Sequence, residues 1–171
     1  MLSTRILSPE RVARTLDRLA HEVVERNRGG EDMVVVGILR RGADLAEALA
    51  GQIAQIVGHD IPCYGLDVRP YRDDWDTVPP PGRDGRIHVA DRHVLLVDDV
   101  LHTGRTARAA LDAIVHHGRP RSIQLAVLVD RGGREYPIEA TYFGRVLPAK
   151  PGERIVVANA AGGFAIDRRH A

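Results

Sequence analysis

The sequence predicts an α/β fold with a mostly parallel central sheet flanked by helices and a long mobile lid loop. Three observations carry that prediction. Short, predominantly apolar runs at 33–38, 94–97 and 123–129 read as strands buried on both faces, as parallel strands are. Segments with apolar residues at helical spacing lie between them. The order of elements (strand, helix, strand, loop, strand, helix, strand) is the alternation that builds a parallel sheet with right-handed crossovers.

Taken in order, Ser8-Pro9-Glu10 offers an N-cap followed by a proline at the first helical position. Val12, Leu16, Leu19, Ala20, Val23 and Val24 then recur on one face, and the helix runs to about Asn27, where Gly29-Gly30 stops it. The run 33–38 is the first strand, 43–57 the second helix, and 61–68 the next strand. Residues 69–86 collect prolines, glycines and charges in PYRDDWDTVPPPGRDGR with no sustained periodicity, and Trp75 sits there, away from any core. A segment of that length is either a lid, placed at about 69–88, or a tolerated insertion. The strand 94–97, the helix 104–117 and the strand 123–129 follow. Residues 141–146 and 154–158 are read as short edge strands of the same sheet. The tail GGFAIDRRHA is assigned no role.

With 171 residues, 44% hydrophobic and 27% charged, the chain has the composition of one ordinary globular domain over 1–171. No apolar run reaches the ~20 residues that span a bilayer, and the first ten residues lack a secretory apolar stretch, so a cytoplasmic location is expected. The single Cys63, read as a small packed residue near a strand, excludes an internal disulfide. A net charge of +1 excludes whole-protein attraction to nucleic acid and leaves only local clusters of cations to supply it. Lys150 is the only lysine; codon bias and phosphate recognition both account for so arginine-rich a chain.

The chemistry concentrates in VLLVDDVLHTGRT, where an apolar strand ends in Asp98-Asp99 and turns through His102-Thr103-Gly104-Arg105-Thr106 into a helix. Ligands of open α/β sheets bind at this carboxyl edge. Free backbone N–H groups at the loop and helix start, close approach over Gly104, and the hydroxyls of Thr103 and Thr106 suit a phosphate. Two adjacent carboxylates just before the loop suit two vicinal ribose hydroxyls. The competing reading, a solvated acidic pair on a strand-to-helix turn, asks two neighbouring carboxylates to be desolvated for structure alone.

This segment resembles the 5-phosphoribosyl-1-pyrophosphate (PRPP) motif of the type I phosphoribosyltransferases. Further stretches extend the likeness to the bifunctional pyrimidine operon attenuators and uracil phosphoribosyltransferases: Ala20-His21-Glu22 to Glu25-Arg26-Asn27, Val36-Gly37-Ile38 to Arg41-Gly42, Tyr71-Arg72-Asp73-Asp74, and SIQLAVLVDRG at 122–132. The resemblance implies that Asp98, Asp99 and Arg41 are catalytic and that 102–106 binds the 5-phosphate. It also implies that Arg40-Arg41-Gly42 binds pyrophosphate, that Tyr71, Arg72, Asp73 and Asp74 belong to the lid, and that Val129, Asp130, Arg131 and Gly132 read the base. Arg41 independently suits a leaving group that carries several negative charges.

Mg²⁺ would be bound mainly through PRPP, with no firm protein ligand. The base implied is uracil, since purine enzymes of this design carry an aspartate where this chain has His102. Gly133 stands where relatives carry a histidine, and Arg40 where many carry a threonine. Relatives also bind a leader-mRNA stem-loop in response to uridine nucleotides and are commonly dimers. Arg18, His21 and Arg26 match their RNA-facing surface, and Arg145 adds a cation nearby, although by charge alone an Arg/Glu helix is a solvated face. The alternatives are a purine or orotate enzyme of the same fold, and a catalytically silent nucleotide-sensing RNA regulator.

Overall fold

The computed structural model describes residues 3–74 and 85–170. In chain order its elements are β1 (Ser3–Leu7), α1 (Pro9–Arg26), β2 (Met33–Ile38), α2 (Arg41–Val57), β3 (Cys63–Leu66), a 3-10 turn (Arg69–Tyr71), β4 (His93–Leu101), α3 (Arg105–His117), β5 (Ser122–Asp130), β6 (Tyr142–Val146), β7 (Glu153–Ala160) and β8 (Gly163–His170). Five of the strands form the expected sheet in the order β3-β2-β4-β5-β6, with every neighbouring pair parallel.

The apolar runs have a direct physical cause. Successive side chains of a strand point to opposite faces, so a strand covered on both sides must be apolar at every position. All six residues of β2 are buried. Val35, Leu95 and Leu128 face one way and pack with Leu19 of α1 and with Leu45, Leu49 and Ile53 of α2. Val34, Val36, Leu96 and Val127 face the other way and meet Ala109, Ala110, Ala113 and Ile114 of α3. Each large side chain fully buried in these layers contributes about 1.5–3 kcal/mol relative to exposure.

Several boundaries differ from the sequence expectation. Residues 154–158 are not an edge of the parallel sheet: they lie in β7, within a separate antiparallel sheet of order β1-β8-β7. The tail has a role after all, since β8 is the middle strand of that sheet, with Ala165 and Ile166 fully buried and Asp167 paired with Arg5. β1 escaped the sequence reading because five residues with three basic or polar side chains carry little periodicity alone. β3 is shorter than 61–68, and Cys63 begins it. α2 starts at Arg41, two residues earlier than predicted, which places Arg41-Gly42 in its first turn. β4 continues beyond Val97 to Leu101, so Asp98 and Asp99 lie within the strand. Of the lid expected at about 69–88, residues 69–74 and 85–88 are described; Trp75 lies outside the described residues.

Candidate active site

β2 and β4 pair only as far as Gly37 opposite Val97. β4 therefore outruns its neighbour, and its last residues form one wall of a cleft of about 400 Å³ at the carboxyl edge of the sheet. Asp98 and the loop 102–106 line it, joined by Arg72 and Asp74 from the lid stem and by Glu135. The Asp98 Oδ1 accepts the Asp99 N–H at 2.9 Å, and the Asp99 Oδ1 accepts the Val100 N–H at 2.9 Å. Burial, and then the neighbouring Asp99 charge, push the Asp98 carboxyl well above the usual carboxylate range.

The loop 102–106, expected to bind a phosphate, turns through a left-handed glycine into α3. Gly104 caps α3 with φ of +90°, a left-handed conformation that glycine adopts without a Cβ clash. A Cβ there would also stand 3.1 Å from that of Tyr136. The Arg105 N–H is directed to the Thr103 Oγ1 at 3.3 Å, while the start of α3 offers the N–H groups that an anion needs.

At the end of β2 the Leu39–Arg40 peptide is cis and both Arg40 and Arg41 are exposed. The Arg41 Nη1 stands 3.9 Å from the Asp99 Oδ2, which brings the predicted pyrophosphate cation to the acidic pair. Gly42 explains how α2 can start so close to β4: a Cβ on it would lie 2.6 Å from the Val97 carbonyl oxygen.

The lid stem is docked on the phosphate loop. Arg72 donates to the Thr106 Oγ1 at 2.8 Å and pairs with Asp74 at 2.5 Å. Asp73 accepts from the Tyr136 hydroxyl and from Arg105 Nη1 at 3.1 Å. The Tyr136 hydroxyl, then Arg105, hold the Asp73 carboxyl below its ordinary range. Tyr71 packs edge-on against His116 of α3. Carboxylates thus hold the side chains of Arg72 and Arg105, the two arginines among the described residues that line the cleft.

Beyond β5, Glu135 reaches the cleft, whereas Asp130, Gly132 and Arg134 line a neighbouring cavity of about 320 Å³ with Phe143 and Val146. Sequence reasoning named Val129, Asp130, Arg131 and Gly132 but missed Arg134, Glu135 and Tyr136, although GREYP directly follows a strand end at the ligand edge. Arg134 donates to Asp130 at 2.5 Å, to the His102 carbonyl at 2.9 Å and to the Ile138 carbonyl at 2.7 Å. Burial pushes the Asp130 carboxyl up, but Arg134 and the Gly132 N–H outweigh it and hold it low. Glu135 takes Arg105 Nε at 2.7 Å. Arg134→Ala should strip three acceptors at once, and thermal denaturation should read the loss as a lower melting temperature.

The predicted RNA-facing residues lie on α1 and β6. Arg18 pairs with Glu22 at 2.5 Å and donates to the Gly144 carbonyl at 2.9 Å; His21 Nδ1 lies 2.9 Å from the Asp17 carbonyl oxygen. Arg26 lies over the Tyr142 ring at 5.9 Å, and Arg145 is exposed. Arg18 thus also ties the helix to the edge strand, which a charge-pattern reading does not reveal.

The sequence profile of the phosphoribosyl transferase domain matches residues 3–150. The bifunctional protein PyrR of Clostridium acetobutylicum is 48% identical over 160 residues, covering 91% of this chain and 90% of that protein. The bifunctional protein PyrR of Deinococcus radiodurans is 49% identical over 156 residues, covering 89% and 85%. A hypoxanthine phosphoribosyltransferase from Trypanosoma cruzi, solved as a ternary substrates complex, superposes with a TM-score of 0.73 at 19% identity, over 91% of this chain and 84% of that one; this likeness is one of fold. A matched profile over most of the chain, relatives near half identity over nearly their full length, and an acidic pair beside a glycine-capped anion loop agree: the chain belongs to the phosphoribosyltransferase family, among the bifunctional PyrR proteins.

Proposed function

We propose that the protein transfers the phosphoribosyl group of PRPP to uracil, yielding UMP and pyrophosphate, and that it also acts as a uridine-nucleotide-responsive RNA-binding regulator of pyrimidine biosynthetic gene expression. The observation that carries the enzymatic half is the juxtaposition, in one cleft, of Asp98 with the loop 102–106, Asp99 following Asp98 in β4 and facing Arg41. The carboxylates orient the ribose hydroxyls, the loop anchors the 5-phosphate, and Arg41 stabilises negative charge on the departing pyrophosphate. Closure of the lid stem Tyr71–Asp74 excludes water, which suppresses hydrolysis of PRPP.

The donor set fits Mg²⁺. Among the described residues no three His, Cys, Asp or Glu side chains converge; of the carboxylates lining the cleft, Asp74 and Glu135 are paired with arginines, which leaves Asp98, with Asp99 beside it in β4, as the oxygen donors at hand. That suits a hard cation ligated mostly by substrate oxygens and water, which would neutralise charge on the pyrophosphate. Val129–Gly132, at the end of β5, supplies backbone groups for a pyrimidine edge. Uracil, PRPP and Mg²⁺ incubated with purified protein should yield UMP; a protein that binds UMP but forms none would be the regulator without catalysis.

Support for the regulatory half comes from the family and from Arg18, His21, Arg26 and Arg145 on the α1–β6 surface. Arg145 is the cleaner probe because Arg18 also holds β6. Arg145→Ala should leave turnover unchanged, weaken binding of a leader stem-loop, and reduce the slope of log affinity against log salt by about one. An unchanged slope would remove Arg145 from the interface. Titrations with and without UMP measure the coupling.

A further inference from the structure

Resting on the uracil phosphoribosyltransferase reading, we propose that His102 is the base that accepts the N1 proton of uracil as the glycosidic bond forms. The first support is position. His102 lies between the phosphate loop and the loop after β5, and it lines the cleft. Its main chain is pinned on both sides: Arg134 donates to its carbonyl at 2.9 Å, the Arg131 N–H donates to the Leu101 carbonyl at 3.0 Å, and the Glu135 and Tyr136 N–H groups both donate to the Thr103 carbonyl at 2.9 Å.

The second support is that the ring, in contrast to its backbone, is unengaged. No described residue hydrogen-bonds either imidazole nitrogen of His102, a condition it shares with His88, His116 and His117 but not with His21, His59 and His93; among the described residues His102 is the histidine that lines the cleft. The other ionisable side chains lining the cleft are already occupied. Arg72 and Asp74 hold one another, Arg105 holds Glu135, and Asp98, which accepts the Asp99 N–H through Oδ1, is the carboxylate assigned to the ribose hydroxyls. Room for the ring comes from Gly133, whose φ of +76° and missing side chain admit the His102 Nε2 to within 3.0 Å of where a Cβ would stand.

The surroundings favour the neutral, proton-accepting form. Burial first, then the charges of Arg131 and Arg134, lower the His102 pKa, and Glu135 offsets them only in part. In the step, the ribose C1–oxygen bond to pyrophosphate breaks and its electron pair leaves with pyrophosphate. The uracil N1 lone pair forms the C1–N1 bond, the N1 proton passes to the imidazole, and the imidazolium then returns it to water.

The test is the pH dependence of kcat/KM for uracil and for 5-fluorouracil, whose N1–H is more acidic, in wild type and His102→Gln. Wild type should lose activity as pH falls through the lowered imidazole pKa, because only the neutral ring accepts a proton. The variant should lose that acidic limb and about 10²-fold in kcat/KM with uracil, the scale of general base catalysis. With 5-fluorouracil it should lose much less, since a more acidic nucleophile needs the base less. Equal losses on both substrates with the acidic limb retained would make His102 a positioning contact and overturn the proposal. If His102→Gln does not fold, the wild-type profile decides: a pH-independent kcat/KM for uracil below the ordinary histidine range also overturns it. If wild type forms UMP from neither base, the uracil reading itself has failed.

Discussion

Asp98→Asn is expected to melt at a higher temperature than wild type at neutral pH while turning over more slowly. Desolvation and the Asp99 charge raise the Asp98 pKa, so folding opposes ionisation of this carboxyl. The sign follows from linkage. Below about pH 4 the group is protonated in both folded and unfolded chains and contributes no difference; as pH rises, ionisation in the unfolded chain draws stability from the folded state. Asparagine keeps the oxygen that accepts the Asp99 N–H and carries no charge. Its advantage in Tm should therefore appear above pH 4 and grow toward neutrality, at roughly 2–4 °C per kcal/mol for a chain of this size. Losing one charge-assisted hydrogen bond of about 1.5–3 kcal/mol to a ribose hydroxyl should lower kcat/KM by roughly 10–10²-fold. Calorimetry across pH, with initial rates on the same samples, checks both parts. A variant less stable than wild type at pH 7 would show that the carboxylate is satisfied in the free protein.

The second large effect is expected at Gly42→Ala. The added Cβ would meet the Val97 carbonyl oxygen at 2.6 Å and the Asp98 Cα at 3.2 Å, atoms of the central strand with no rotamer to yield. The start of α2 must then lift from β4, costing about 1–3 kcal/mol of stability through overpacking. Arg41 moves with it. Displacing a positioned cation by about 1 Å costs on the order of 10²-fold in rate, so PRPP turnover should fall further than stability does. The check is a comparison of Tm and PRPP-dependent rate for this variant with those of Gly51→Ala, where a Cβ meets nothing within 4 Å.

How much of this was legible beforehand depended on how local the information is. β2, β4 and β5 are buried on both faces, so the apolar requirement is written into each run, and α1 announces itself by period and by Pro9 at its first position. The β1-β8-β7 sheet was illegible for the opposite reason. Its strands alternate with charged residues, and β1 and β8 pair residues as far apart as Ser3 and Arg169, a contact that no local window contains.

The site divides in the same way. Asp98, Asp99 and 102–106 are contiguous, so their joint chemistry could be read from one segment. The engagement of Arg105 by Asp73, Glu135 and Tyr136, and of Arg18 by the β6 carbonyls, depends on tertiary approach across about 30 to 126 positions in sequence. The departure at Gly133 also gains a physical meaning only in three dimensions, where His102 fills the space above it.

The central claim is that this cleft joins the ribose of PRPP to a pyrimidine. Its most direct test is release of pyrophosphate from PRPP by the purified protein with Mg²⁺, measured in parallel with uracil, guanine, hypoxanthine and orotate. Release with uracil alone is the predicted result; release with a purine or orotate in the absence of any uracil-dependent release would contradict it.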